Sequence, residues 1–334
     1  MSILLPGGAG FIGSHTAVEL LNSGYDIVIL DNFSNSNMQS IENIKKITGK
    51  DFKFYEIDYL DKDAVDRVFQ ENCIDAVLNF AGFKAVGESV EKPLMYYHNN
   101  IQGCINLLEV MQKYNCKKFV FSSSATVYGD PEQVPITEES KVGGTTNPYG
   151  TTKLFIERIL QDLYKSDNSW DICILRYFNP VGAHESGLLG ESPKGIPNNL
   201  MPYVVRVASG ELECLNVFGN DYPTPDGTGV RDYIHVVDLA KGHVNALEKL
   251  NKEGQGLYIY NLGTGHGYSV LDMVNAFERV TGQKVNYQIA PRRSGDIAEC
   301  YADPTKAFNE LGWKAELGID EMCRDSWNFI KHNH

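Results

Sequence analysis

Short runs of apolar residues alternate, along the first half of the chain, with stretches in which apolar residues recur at a helical spacing. The runs that predict strands lie near 3–5, 27–30, 52–57, 76–80, 118–122 and 172–177. The stretches that predict helices lie near 12–23, 62–71, 93–114 and 147–166. This alternation is typical of a parallel sheet covered by crossover helices, so it predicts a doubly wound, Rossmann-type α/β fold.

The composition of the sequence changes after Asn179. Pro and Gly become dense at 180–182, 192–197 and 222–227, which predicts loops. Further helical patterns lie near 236–250, 269–281 and 304–312, and a further apolar run lies at 257–262. We therefore expect a Rossmann domain at residues 1–180 and a smaller mixed α/β lobe at 181–334, with segments near 231–262 crossing back to the first domain. A ligand cleft should lie between the two.

Composition narrows the classes of partner. At 334 residues with 43% hydrophobic content, the chain can bury a large core. A net charge of -13 gives no electrostatic basis for binding nucleic acid or an anionic membrane. We see no signal peptide and no apolar run near the roughly 20 residues of a membrane span. The seven cysteines are scattered without a C-x-x-C pair, so we expect a cytoplasmic protein with reduced thiols.

A glycine-rich segment, G-G-A-G-F-I-G at residues 7–13, directly follows the first predicted strand and opens the first predicted helix. Glycines let a backbone turn tightly, approach a pyrophosphate closely and present free N–H groups at the helix N-terminus. Asp31 ends the second predicted strand roughly 20 residues later, where a carboxylate can accept hydrogen bonds from ribose hydroxyls. Because residues 31–36 contain no Arg for a 2′-phosphate, we expect NAD as the cofactor and not NADP.

Two hydroxyl side chains and one amine predict a site for proton transfer. Tyr149 and Lys153 are four residues apart at the start of a predicted helix, so they share one face. Ser124 leaves the end of a predicted strand, at the sheet edge where ligands of such folds bind. We expect the Lys153 ammonium and a bound nicotinamide to lower the pKa of Tyr149, so that it can take a hydroxyl proton. Such a shuttle beside NAD needs no metal, and no H-x-x-x-H pattern or carboxylate-His cluster suggests one.

The whole chain also resembles the extended short-chain dehydrogenase/reductases, and within them the UDP-glucose (UDP-galactose) 4-epimerases. The segments that carry the resemblance are residues 7–15, 31–32, 79–89, 122–129, 147–153, 176–183, 195–202 and 229–236. The resemblance implies NAD-dependent, reversible C4 epimerisation of UDP-glucose and UDP-galactose through a 4-keto sugar, in galactose metabolism. It also implies a homodimer that packs through the helices near 93–114 and 147–166.

The same resemblance implies the ligand-binding residues. Those expected to line the NAD site are Gly7, Gly10, Phe11, Ile12, Gly13, Asp31, Asn32, Asn35, Ser36, Asp58, Phe80, Ala81, Gly82, Lys84, Asn99, Ser124, Tyr149, Lys153, Tyr177 and Phe178. Those expected to contact the UDP-sugar are Lys84, Ser124, Tyr149, Asn179, Asn199, Leu200, Asn216, Phe218, Arg231, Arg293, Asp296 and Cys300. Two guanidinium groups, of Arg231 and Arg293, suit a diphosphate, and the ring of Phe218 suits uracil.

Alternatives remain within and outside this class. Dehydratases of the superfamily carry an Asp-Glu pair where this chain has Ala125 and Thr126, and water elimination needs an acid and a base, so elimination is disfavoured. A UDP-glucuronate 4-epimerase or decarboxylase would use the same Tyr, Lys and NAD. A catalytically silent NAD-binding protein is the alternative from a different class.

Three positions depart from the pattern of the family or vary within it. Pro6 stands where Thr is usual, and Phe11 replaces the more frequent Tyr, so we expect at most a shifted turn or weaker cofactor contacts. The resemblance implies that Cys300 faces the sugar C2 substituent, at a position where a bulky Tyr excludes an N-acetyl group. A small side chain there predicts turnover of UDP-GlcNAc and UDP-GalNAc as well.

Overall fold

A computed structural model describes residues 1–195, 197–293 and 295–333. Its strands are β1 Ser2–Pro6, β2 Asp26–Asp31, β3 Lys53–Glu56, β4 Ala76–Asn79, β5 Lys118–Ser124, β6 Asp171–Tyr177, β7 Asn179–Val181, β8 Leu215–Phe218, β9 Val230–Arg231, β10 Tyr233–His235, β11 Gly256–Leu262, β12 Tyr268–Ser269, β13 Tyr287–Ala290 and β14 Glu299–Cys300. Its helices are α1 Phe11–Asn22, α2 Met38–Thr48, α3 Lys62–Glu71, α4 Val86–Glu91, α5 Pro93–Tyr97, α6 Gly103–Lys113, α7 Pro148–Ser166, α8 Leu200–Ala208, α9 Val236–Glu253, α10 Val270–Thr281, α11 Thr305–Leu311 and α12 Ile319–Asn333.

Seven parallel strands form the central sheet, in the order β11-β6-β5-β4-β1-β2-β3. The chain reverses its direction across the sheet between β1 and β4, and ligands of open α/β sheets bind beyond the strand ends at such a point. The predicted doubly wound fold is confirmed. The apolar run at 257–262 is part of β11, which pairs with β6, so it belongs to this sheet. The domain boundary that we expect at residue 180 stays a prediction.

The two faces of the sheet bury two separate cores because successive side chains of a strand point to opposite faces. On one face, Leu5 of β1 is in a cluster with residues of α1, α2 and α9, such as Val18, Ile44 and Leu247. On the other face, Leu4 is in a cluster with residues of α3, α6 and α7. Strands that are apolar on both faces read as continuous hydrophobic runs, and this explains why the sequence pattern located them.

The helix that the pattern predicts at 93–114 is interrupted. A π-helical turn, His98–Gln102, separates α5 from α6. The hydroxyl of Tyr59 donates to the carbonyl of Asn99 inside this turn, at 2.7 Å. Gly103 follows at once, and a Cβ there would lie 2.3 Å from the Tyr59 ring. A buried aromatic side chain from outside the helix therefore packs at this irregularity, and apolar spacing along the helix does not reveal it.

Segments beyond β6, apart from α9 and β11, form a smaller part with its own core and short sheets. Its core lies between α8, α10 and α12, around Val204, Phe277 and Met322. The pattern did not predict α2, α8 or α12. Asp232, which is fully buried, accepts hydrogen bonds from the backbone N–H groups of Thr264, Gly265 and Ala302, so it fixes the corner between β9 and β10. No helix within the described ranges is both long and apolar enough to cross a membrane.

The packing at the π-helical turn yields a stability prediction. Gly103→Ala should destabilise the fold by about 1–3 kcal/mol, because the added methyl group overlaps the Tyr59 ring. Gly87→Ala is the matched control, since Gly87 is a helical glycine with no atom within 4 Å of an added Cβ. Thermal or urea unfolding should show a loss for the first variant and no loss for the second. Equal stability of the two variants would refute this account of the turn.

Candidate active site

The glycine-rich turn joins β1 to α1 at the carboxyl edge of the sheet. Gly7 has a φ of 73°, and a Cβ there would lie 2.7 Å from the backbone nitrogen of Ala81. A Cβ on Gly13 would lie 2.5 Å from the carbonyl oxygen of Gly7. Both positions therefore exclude side chains, and the N-terminus of α1 stays open toward the edge of the sheet. Pro6 ends β1, where its carbonyl accepts a hydrogen bond from the N–H of Phe80 after β4 and the next residue, Gly7, donates to the carbonyl of Leu30 in β2, so the chain stays bonded to both neighbouring strands at the proline.

Asp31, at the end of β2, accepts three hydrogen bonds from neighbouring segments of the chain. Its two oxygens accept hydrogen bonds from the backbone N–H of Ala9 at 3.0 Å, the N–H of Phe33 at 2.9 Å and the Ser36 hydroxyl at 2.7 Å. The carboxylate thus fixes the glycine-rich turn to the loop after β2. Carboxylate oxygens accept more than one hydrogen bond each, so a ribose hydroxyl is still compatible with these contacts.

Most other predicted cofactor residues lie at this edge. The Asn32 side chain donates to Asp58 at 2.8 Å, while Asn35 is exposed on the same loop. Phe80, Ala81, Gly82 and Lys84 follow β4, and Asn99 is in the π-helical turn. The Lys84 ammonium lies 5.8 Å from the centre of the Phe11 ring, which places it beside the start of α1, where Ile12 follows.

One face of α7 carries Tyr149, Lys153 and Glu157 at four-residue intervals, and it packs against the end of β5. Lys153 donates to the carbonyl of Ser122 at 2.7 Å, and its ammonium is 5.9 Å from the centre of the Tyr149 ring. Tyr149 and Lys153 are 8% and 6% exposed. The structure therefore places the predicted Tyr-Lys pair together in a buried position.

Burial determines the protonation of this pair in the chain itself. It raises the pKa of Tyr149 to about 12, while a hydrogen bond with Ser124 acts in the opposite direction. Burial lowers the pKa of Lys153 to about 8, and the neighbouring Cys104 and Glu157 oppose that shift. The expected lowering of the Tyr149 pKa by Lys153 together with nicotinamide stays a prediction, and in the chain without the cofactor the effect of burial is larger than that of any neighbour. The Lys153 ammonium donates to a backbone carbonyl, and desolvation has the largest effect on the pKa values of both side chains.

Ser124 has a structural contact besides its predicted role. Its hydroxyl oxygen accepts hydrogen bonds from the backbone N–H of Thr126, at 3.2 Å, and from the Thr126 hydroxyl, at 3.0 Å. It thereby caps the short 3₁₀ helix Ala125–Tyr128. Ala125 and Thr126, where dehydratases carry an acid and a base, lie in this helix directly beside the serine.

A buried polar network under the site was missed by sequence reasoning. Glu157 forms an ion pair with Arg176 at 2.7 Å and accepts a hydrogen bond from Ser123 at 2.5 Å. Arg176 also donates to the Tyr128 hydroxyl, which in turn donates to Asn261. The sequence did show an acid, Glu157, one helical turn after Lys153. It did not show that the partners of Glu157 would come from two other elements, β5 and β6.

The predicted substrate residues form several groups. Asn179 begins β7, directly after Tyr177 and Phe178, two predicted cofactor residues that are buried at the end of β6 and just beyond it. The Arg293 guanidinium lies 4.7 Å from the centre of the Phe218 ring and pairs with Asp296 at 2.9 Å.

A second substrate group joins Arg231 of β9 to Cys300 of β14, since these residues are neighbours in a parallel pair of strands. Asn199 precedes Leu200, the first residue of α8, and its side chain donates to Glu191. Asn216 accepts a hydrogen bond from exposed Gln288, so its contact lies in the β8–β13 pair. Ile196, in a segment that carries the family resemblance, lies outside the described residues.

Reversible removal of hydrogen from a carbinol carbon needs a residue that exchanges the hydroxyl proton and a dinucleotide that exchanges the hydride. A buried tyrosine with a lysine one helical turn away, beside a glycine-rich turn on a doubly wound sheet, meets both needs. The fold and this edge of the sheet define a short-chain dehydrogenase/reductase.

Comparison with known proteins identifies the family within this class. Residues 4–326 match the family model described as GDP-mannose 4,6 dehydratase. A UDP-glucose 4-epimerase of Bacillus subtilis is 65% identical over 334 residues, covering 100% of this chain and 98% of that protein. Within the short-chain dehydrogenase/reductases, the chain belongs to the UDP-glucose 4-epimerase family.

Solved structures agree with this assignment. The UDP-glucose 4-epimerase of Bifidobacterium longum, in complex with NAD⁺ and UDP, is 59% identical, covers 100% of this chain and 99% of its own, and has a TM-score of 0.97. The enzyme of Stenotrophomonas maltophila, with bound NAD and formylated UDP-arabinopyranose, is 49% identical, with coverage of 100% and 98% and the same TM-score of 0.97.

Proposed function

We propose that this chain is an NAD-dependent isomerase that interconverts UDP-glucose and UDP-galactose by inverting C4 through a bound 4-keto sugar. The observation that carries the proposal is the buried Tyr149, Lys153 and Ser124 beside a glycine-rich turn, in a chain 65% identical to a UDP-glucose 4-epimerase. Residues 1–180 would hold NAD and residues 181–334 would hold most of the UDP-sugar.

The glycine-rich turn fits NAD. Its backbone leaves no room for side chains at Gly7 and Gly13, and such a turn before a helix N-terminus suits a pyrophosphate. Phe11 and Ile12 begin that helix, and Asp31 accepts a hydrogen bond from the N–H of Ala9 within the turn. When bound, NAD supplies the acceptor and donor for the hydride of C4.

The chain's own residues would handle the proton and the orientation of the sugar. Tyr149 takes the proton of the sugar O4 and later returns it, and Ser124 holds the same oxygen through a hydrogen bond. The positive charge of Lys153 stabilises the tyrosinate in the short interval between the two transfers. Since C4 inverts only if the keto sugar turns over, binding must concentrate on the UDP end, where Phe218 and the two arginines lie.

Elimination of water has no support in this site. It needs a second acid and base beside Ser124, and the side chains there are Ala125 and Thr126. The match to a dehydratase family model therefore indicates a shared fold and cofactor, while Ala125 and Thr126 favour epimerisation over elimination.

A wider substrate range is supported by Cys300. Its side chain is in a small cluster with Ala125 and Phe178, the neighbours of Ser124 and Tyr177 in the chain. A thiol in place of a bulky aromatic side chain leaves room for an N-acetyl group on C2, so UDP-GlcNAc and UDP-GalNAc should be substrates.

A homodimer is supported by an exposed apolar surface. Val90, Leu94, Met95 and Phe155 are 60%, 82%, 36% and 47% exposed, and they come from α4, α5 and α7, which pack on one another. Adjacent exposed apolar side chains of this size mark an interaction surface. A second copy related by a two-fold axis would cover them, consistent with the family resemblance. A cytoplasmic location is supported by the seven free cysteines.

Replacement of the proton shuttle tests the reaction. Tyr149→Phe should reduce interconversion of UDP-glucose and UDP-galactose by at least about 10²-fold, because no group remains to exchange the O4 proton. Tyr287→Phe, at a tyrosine 48% exposed on β13, is the control and should keep the wild-type rate. Products are resolved by chromatography, and a full rate in Tyr149→Phe would exclude the proposal.

The size of the side chain at position 300 tests the substrate range. Wild-type protein should interconvert UDP-GlcNAc and UDP-GalNAc, and Cys300→Tyr should lose that activity while retaining turnover of UDP-glucose. Cys73→Tyr, at an exposed cysteine, controls for the added bulk. Failure of the wild type with the N-acetyl sugars, or their unchanged turnover by Cys300→Tyr, would contradict the role of Cys300.

A charge placed in the apolar surface tests the dimer. Leu94→Glu should convert a dimer to monomers in sedimentation or light-scattering measurements, because association would bury an unpaired carboxylate from each copy. Phe308→Glu, at another exposed apolar residue on α11, should leave the mass unchanged. A monomeric wild type, or a dimeric Leu94→Glu protein, would rule out this surface.

A further inference from the structure

A segment after β7, residues 188–195, bridges the two parts of the chain; we call it the bridging segment. The carbonyl of Leu188 accepts a hydrogen bond from Asn43 of α2 at 2.7 Å. The ammonium of Lys194 donates to the carbonyls of Phe33 and Ser34, at 2.7 and 3.1 Å. These partners lie on the loop and helix after β2, next to Asp31. The segment is therefore fixed to the expected adenosine end of the NAD groove.

Glu191, in the middle of the bridging segment, joins two predicted ligand residues. One oxygen, Oε1, accepts hydrogen bonds from the Lys84 ammonium and from the Asn199 amide nitrogen, both at 2.8 Å. The carboxylate side chain is only 8% exposed. Its second oxygen, Oε2, is buried and has no hydrogen-bond partner among the described residues. A buried carboxylate with one oxygen unpaired is costly for a fold, so stability alone does not explain its presence.

The two partners of Glu191 lie in the two parts of the chain that the proposed function assigns to different ligands. Lys84 follows β4 and lies beside Phe11 at the start of α1, so it belongs to the cofactor side. Asn199 directly precedes α8 of the smaller part, so it belongs to the substrate side. An ammonium carries three donors and a carboxamide nitrogen two. Each can hold Glu191 with one donor and still direct another to a phosphate oxygen.

We propose that Glu191 is a positioning residue that couples retention of NAD to binding of the UDP-sugar. The proposal rests on the function proposed above. Glu191 holds Lys84 oriented toward the cofactor pyrophosphate and Asn199 toward the substrate diphosphate. A ligand that orders one partner also orders the carboxylate, and through it the other partner. Such coupling is reciprocal, so UDP should slow the loss of NAD and NAD should tighten the binding of UDP.

The test measures release of NAD from the reloaded holoenzyme with and without UDP. In the wild type, UDP should slow release by about 5–150-fold, the usual range of coupling between sites. Glu191→Gln keeps the shape and one acceptor oxygen but loses the charge, so the effect of UDP should fall several-fold. Glu191→Ala should abolish it. Glu185→Gln, at an exposed acid just before the bridging segment, should retain the wild-type effect.

Steady-state kinetics distinguish positioning from a general structural role. Glu191→Gln should raise KM for UDP-glucose several-fold and leave kcat, measured with NAD in excess, within about twofold. Equal protection by UDP in wild type, Glu191→Gln and Glu191→Ala overturns the coupling role even if turnover is normal. Absence of any UDP effect in a wild type that turns over UDP-glucose also overturns it. A wild type without turnover refutes the proposed function itself.

Discussion

Three consecutive serines at the end of β5 dock one face of α7, and the active site depends on that docking. Lys153 donates to the carbonyl of Ser122, Glu157 accepts from the hydroxyl of Ser123, and Ser124 acts on Tyr149 by lowering the pKa of its phenol. The alternation of side chains along a strand explains the pattern. The hydroxyl of Ser122 points to the opposite face and contacts His243, so Lys153 can use only the backbone oxygen.

This docking places a tyrosine and a lysine in a desolvated position, and desolvation has opposite effects on them. It raises the pKa of Tyr149 to about 12 and lowers that of Lys153 to about 8, so burial disfavours the charged form of each side chain. Formation of a tyrosinate therefore needs additional positive charge at the site, which the oxidised cofactor carries. Without ligand, Tyr149 therefore keeps its phenolic proton. This agrees with its proposed role, in which it takes a proton from the sugar and later returns it.

The sequence predicted the features that depend on local spacing. The parallel sheet, the glycine-rich turn and the placement of Tyr149 and Lys153 on one helical face all follow from apolar periodicity and short motifs. It missed contacts between distant segments: the Tyr59 ring against the π-helical turn, the partners of Glu157 on neighbouring strands, and the meeting of Lys84 with Asn199 at Glu191. No spacing rule connects these residues, because they come from different elements of the fold.

The central claim is that hydrogen leaves C4 of the sugar and returns to the same carbon on its other face. UDP-glucose carrying deuterium at C4, incubated with the protein in ordinary water, tests it directly by mass spectrometry and NMR of the UDP-galactose formed. The account predicts that the product retains deuterium at C4 and takes up no solvent hydrogen there, since only the hydroxyl proton passes through Tyr149. Replacement of the C4 deuterium by solvent hydrogen would contradict it.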